Sequence, residues 1–148
     1  MIRKIIVGND AQNFKCSAAT SILYKRLFGQ SLTGEMAKIV QLSNQAKDLQ
    51  AKLATIKDEN REELVELLAN DTSLVDLSNM TNELIPQMAY IMWLEANKPQ
   101  RELFQSLTEE AYILWLTSFE KGDMSNVYTE LMNLWTDTNK TNSNLKNV

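Results

Sequence analysis

The chain has 148 residues, with 15 Lys and Arg against 19 Asp and Glu, no histidine, one cysteine (Cys16), four glycines and two prolines. One Cys without any His cannot build a structural zinc site or an internal disulfide, and it removes His-dependent triads and haem attachment. At 44% hydrophobic and 23% charged the composition is that of an ordinary globular protein, and the length suits one domain or one domain with an arm.

Residues 1–16 read as a β-hairpin. Ile2 to Val7 is β-branched and apolar, Gly8-Asn9-Asp10 is turn chemistry, and Asn13-Phe14-Lys15-Cys16 alternates polar and apolar. An isolated hairpin is marginal in water, so it must pack on something. Cys16, at the end of the alternation, is expected to be a small buried hydrophobe. A first helix follows over 17–29. Ser17 is its expected N-cap, Ala19, Ile22, Leu23 and Leu27 repeat every three or four residues, and Gly29 supplies the left-handed stop. Lys25 and Arg26 fall in its last turn, where the helix dipole favours cations.

The segment 33–69 is expected to be a polar helical middle. Ile39, Leu42, Ala46, Leu49, Leu53 and Ile56 form one narrow stripe, suited to a packed hairpin or a short coiled coil. Asp58-Glu59 and Glu62-Glu63 open a second run that ends at Leu67-Leu68; the acids are read as capping and solubility. Asn70-Asp71-Thr72-Ser73 breaks the chain. An aromatic-rich helical part is then expected over 73–136. Pro86 belongs in a first turn or at a kink, and Met88 to Leu94 is apolar all round, the mark of a fully buried helix. Pro99 closes that element. Thr108-Glu109-Glu110 starts another, with Tyr112, Trp115, Leu116 and Phe119 on one face and Gly122 as its end. Met124, Val127, Tyr128, Leu131, Leu134 and Trp135 trace the last amphipathic helix. Residues 137–148, nearly all Asn, Thr, Lys and Ser, read as a disordered polar tail. The expected fold is mainly α: a short N-terminal β-hairpin on a bundle of about five to six helices, one domain over 1–136, and that tail.

Charge and aromatics are uneven along the chain. Residues 1–57 hold nine basic and three acidic side chains, a balance of +6, and residues 58–148 hold six and sixteen, a balance of −10. Eight of the eleven aromatics lie beyond residue 89. No glycine-rich phosphate loop exists, Cys16 lacks a base, and the apolar runs fall short of the ~18 residues of a membrane span. The start lacks the h-region of a signal peptide, so an intracellular setting is expected. Basic residues on the hairpin and first helix give slight support to nucleic-acid binding, against which stands the acidic remainder. No catalytic, cofactor or metal-binding residues emerge, and the physical reading is a helical interaction protein.

Two stretches carry a resemblance. Ser17-Ala18-Ala19-Thr20-Ser21-Ile22-Leu23-Tyr24-Lys25-Arg26-Leu27-Phe28-Gly29 behind a short hairpin resembles the N-terminal motif of tail assembly chaperones from long-tailed (siphovirus-type) phages of Gram-positive hosts. In the second half Ala89-Tyr90-Ile91-Met92, Trp115-Leu116, Phe119-Glu120, Val127-Tyr128, Glu130-Leu131 and Leu134-Trp135 follow that family's order and spacing. The likeness covers residues 1–30 and 84–136; Ser21 stands where relatives often have proline, and 30–83 has no counterpart. The resemblance implies a non-enzymatic protein without cofactors. It would act in the host cytoplasm, coat the helical tape-measure protein, help bring tail-tube subunits to it, and leave before the virion is finished. The family often makes a longer −1 frameshift product that binds tube subunits. Here Leu145-Lys146-Asn147 can be encoded by TTA-AAA-AAC, which contains the slip site A-AAA-AAC. Self-association through the charge asymmetry is also expected, with neither nucleic acid nor membrane as partner. The candidate partner or self-interaction residues are Tyr24, Lys25, Arg26, Phe28, Trp115, Phe119, Tyr128 and Trp135. Alternative readings are a structural tail or head-completion protein and a small DNA-binding regulator.

Overall fold

The computed structural model describes residues 1–57, 59–120 and 122–146. The protein is mainly α, with one antiparallel hairpin at its N-terminus. In chain order the elements are β1 (Ile2–Val7), β2 (Asp10–Lys15), α1 (Thr20–Phe28), α2 (Leu32–Thr55), α3 (Arg61–Asn70), α4 (Ser73–Asn97), α5 (Gln100–Leu103), a 3-10 turn (Phe104–Ser106), α6 (Glu109–Leu116), a second 3-10 turn (Ser125–Val127) and α7 (Tyr128–Lys146). The expected single domain resolves into two compact units, one of Met1–Leu32 with Leu84–Val148 and one of Thr33–Glu83.

In the first unit the hairpin is held in register by Ile2 opposite Lys15 through Val7 opposite Asp10. Gly8 and Asn9 form the two-residue connection. Only Gly8 has positive φ (63°), the pattern of a type II′ turn. At the open end Met1 and Cys16 exchange hydrogen bonds, both 3.0 Å. Alternation buries Ile5, Val7 and Phe14 on one face, and β1 lies against the Ser125–Val127 turn. The core is completed by Leu23, Tyr24, Leu32, Leu84, Ile85, the run Met88–Met92, Leu94, Trp115, Val127, Leu131 and Leu134.

Several boundaries differ from expectation, each for a local reason. The first helix opens at Thr20, not at Ser17. The Ser17 hydroxyl accepts from Ala19 N (3.1 Å) and the Thr20 hydroxyl from Ser17 N (2.9 Å), which ties 17–19 into a turn ahead of α1. Of the two places expected for Pro86 the first turn is ruled out: it lies inside α4, so the Asn82 carbonyl lacks its usual helical donor there. The polar run from residue 137 continues α7 as far as Lys146. Its first turn still faces inward, because Thr138 follows Leu131 and Leu134 at helical spacing and is buried, and Asp137 accepts from Arg3 at 2.8 Å. The last two residues of the expected tail lie outside the described residues.

The second unit comprises α2, α3 and the first turns of α4. From the expected stripe, Ile39, Ala46 and Leu49 are buried, joined by Met36, while Leu42, Leu53 and Ile56 are half-buried. None of the residues of α3 is buried.

Candidate interaction surface

The aromatic residues that the spacing placed on helices α1, α4 and α6 meet in one continuous network. Phe28 joins Tyr24 and Tyr112 at 5.1 Å each, and Tyr90 joins Tyr112 and Trp115 at 5.3 Å each. Trp115 continues to Trp93 at 5.8 Å and to Phe119 at 4.8 Å. Tilted and edge-on geometries dominate, as ring quadrupoles favour. Two phenols of the network have local partners. Tyr24 Oη donates to Gln87 Oε1 at 2.8 Å and Tyr90 Oη to the Ser106 carbonyl at 2.6 Å. Burial pushes the Tyr90 phenol above its ordinary range.

This network sorts the candidate residues. Tyr24 and Trp115 are buried and serve the core. Phe28 and Phe119 are half-buried members of the same network. Lys25 and Arg26 are exposed, and the Arg26 guanidinium sits 4.9 Å above the Phe104 ring, a cation–π contact between α1 and the turn after α5. Tyr128 and Trp135 are half-buried on α7.

Two exposed surfaces of the first unit went unread in the sequence. Helix α6 is apolar from Ala111 to Leu116, so turning Tyr112 and Trp115 into the aromatic network leaves Ile113 and Leu114 outside, the latter 70% exposed. The hairpin has the same property. Since Ile5 and Val7 face inward, Ile2 and Ile6 face outward, with Ile6 67% exposed. The signal was present in both places, as an apolar run too long for one helix face and an isoleucine on the wrong parity of a strand.

Between hairpin and helices lies a polar latch. Ser17 Oγ and Thr20 Oγ1 donate to the two oxygens of Glu95 at 2.5 and 2.6 Å. Burial raises the Glu95 carboxyl above its ordinary range, opposed by those two hydroxyls, Lys15 and the N-terminal amine. Beside it Cys16 is buried, and desolvation pushes its thiol up against the lowering effect of Thr20 and Thr138. The Thr138 hydroxyl lies near the thiol without forming a complete hydrogen bond. A protonated thiol shielded from solvent is a poor nucleophile. The carboxylate is engaged by two hydroxyls, and the arrangement joins the start of α1 to α4.

The second unit carries an open polar depression of about 420 Å³ between Gln45, Asp48 and Lys52 on α2 and the segment Asn70–Ser73 with Asp76. The nearby Ser73 hydroxyl, without forming a complete hydrogen bond, and then the Ser73 N–H at 2.9 Å hold the Asp71 carboxyl below the usual range. Among the described residues no group of three or more His, Cys, Asp or Glu is placed to hold a metal ion, and no helix is long and apolar enough to cross a membrane. Comparison with protein-family models, curated proteins and solved structures gives no match.

Proposed function

We propose that the chain is a non-enzymatic tail assembly chaperone of a long-tailed phage, acting in the host cytoplasm. It covers the apolar stripes of the tape-measure protein, helps recruit tail-tube subunits, chiefly through a longer −1 frameshift product, and departs before the virion is complete. Copies of the chain associate while doing so. One observation carries the reading. The stretches that bear the resemblance, 1–30 and 84–136, are separated by more than fifty residues of sequence, yet they fall in one compact unit. The unmatched middle forms the other, bounded at Leu32/Thr33 and Glu83/Leu84. The exposed apolar residues of the first unit, Ile22, Phe104, Ile113 and Leu114 among them, supply surface of the kind that covers an apolar helix reversibly.

Co-expression with a tape-measure protein of a long-tailed phage tests the reading. That protein is expected to stay soluble only with this chain present, and mass spectrometry of purified particles is expected to lack the chain. A stoichiometric copy in finished particles would overturn it in favour of a structural component. The frameshift is tested separately by silent recoding of the Leu145-Lys146-Asn147 codons, which is expected to abolish the longer product and leave the shorter one.

A further inference from the structure

The two uncovered faces of the first unit complement each other. On the hairpin, alternate residues share a face, so Ile2, Lys4 and Ile6 project together, opposite Lys15, Asn13 and Ala11 across the ladder. Lys4 is exposed between two isoleucines that are 62% and 67% exposed. On α6, Glu109 and Glu110 are exposed one turn before Ile113 and Leu114, and no other charged side chain interrupts that face. The spacings agree as well. Lys4 to Ile6 is about 7 Å along a strand, and Glu110 to Leu114 is about 6 Å along a helix. An apolar pair with a base therefore faces an apolar pair with an acid at nearly the same separation.

We propose that copies of this chain associate head to tail, with the outer hairpin face of one seated on the outer α6 face of the next. Lys4 and Lys15 then meet Glu109 and Glu110 while Ile2 and Ile6 cover Ile113 and Leu114. The inference rests on the reading above that copies self-associate, and it adds the two surfaces. Because these surfaces differ, the contact is heterologous and propagates into a ring or a filament. The acidic helix α3 also exposes Val65 and Leu68, with Glu62 one turn before Val65 on the same face.

Sedimentation velocity on the full chain at low salt tests the pairing. The unaltered chain is expected to form a concentration-dependent series of oligomers. Ile6→Asp and Leu114→Lys are each expected to sediment as monomers, and their equimolar mixture as dimers that grow no further, since each variant retains one working face. Both positions are solvent-exposed, and circular dichroism checks that the helices persist. Lys4→Glu, which leaves the apolar contacts intact, is expected to weaken association at least tenfold, and Glu110→Lys in the same chain to restore it. A monomer at every concentration would overturn self-association itself and this pairing with it. Oligomers unchanged by both apolar variants would overturn only the surfaces; sensitivity to Val65→Lys would then assign the contact to α3. Monomeric variants whose mixture also stays monomeric would overturn the head-to-tail pairing.

Discussion

Gly8 shows how much a single residue can carry in the hairpin. Its φ of 63° is a conformation L side chains rarely adopt, and a Cβ placed there would meet Asp123 Oδ2 at 2.9 Å. Asp123 is itself engaged, since its Oδ2 accepts from Glu120 N at 2.9 Å. Gly8→Ala therefore combines left-handed strain with a displaced carboxylate, and a loss of about 1–2 kcal/mol is expected in urea denaturation. Glu95 makes a second residue-scale case. Its folded-state carboxyl titrates above the ordinary value because burial disfavours the charge. The folded state thus binds the proton more tightly than the unfolded chain does. The stability this contributes is fully present below the unfolded value and is lost as pH rises through the folded one. Glu95→Gln removes that dependence while keeping an acceptor for Ser17 or Thr20. Relative to the variant, the unaltered protein is expected to gain stability as pH falls from 7 toward 4.5, and an unchanged difference across that window would count against the assignment.

At the scale of elements, helix positions and caps were legible wherever one face repeats, and the second, outward apolar face of α6 was not. The Met88–Leu94 run, the Thr108 cap with its side chain accepting from Ala111 N at 3.2 Å, and the stop at Gly29 with φ 76° all lie where periodicity and capping chemistry place them. The hairpin register follows from strand parity. Ambiguity entered where local preference competed with tertiary packing. Ser17 has the chemistry of an N-cap, but its hydroxyl accepts from Ala19 N in a turn while donating to Glu95 on α4, and the helix starts three residues later. Asn, Thr and Ser after residue 137 have weak helical preference, yet Thr138 and the Arg3–Asp137 pair extend the inward face of α7. The short α5 and its 3-10 extension carry no periodicity; the Tyr90–Ser106 bond and the Arg26–Phe104 contact hold them, both invisible without the fold. The aromatic candidates were legible as helical positions, but which of them faced a partner was not. Trp115 meets Tyr90, Trp93 and Phe119 at 4.8–5.8 Å and is buried. Trp115→Ala is expected to cost about 3–5 kcal/mol in thermal or chemical unfolding, the range for truncating a core aromatic. Leu114→Ala on the outer side of the same helix should fall within about 0.5 kcal/mol of the unaltered chain.

Across the whole molecule the fold redistributes what the sequence separates. The +6 and −10 halves do not survive as bodies: the unit of 1–32 with 84–148 carries ten basic and nine acidic residues, and the unit of 33–83 carries five and ten. Arg3 and Asp137, from opposite ends of the chain, pair within the first. Any charge-driven contact must therefore use local patches. The two units also differ in how much they bury. The first encloses most of the fully buried side chains, including Tyr24, Tyr90, Phe14, Met88 and Leu131. The second has 51 residues by its bounds, and among those described only Met36, Ile39, Ala46 and Leu49 are buried apolar side chains. A segment of that size with so few buried groups has little to set against the conformational entropy of ordering, so its openings should cost less than global unfolding. Helix α3 is the extreme, with no buried residue and Val65 and Leu68 turned to water. Native-state hydrogen exchange is expected to grade accordingly: fastest for α3 amides, slower for the buried face of α2 from Ile39 to Leu49, and slowest for Met88–Leu94. The gap between α3 and α4 should reach at least two orders of magnitude, equivalent to about 2.7 kcal/mol of opening free energy. Uniform protection in all three would mean that the chain unfolds as one cooperative body, with α3 stabilised by more than its own contacts.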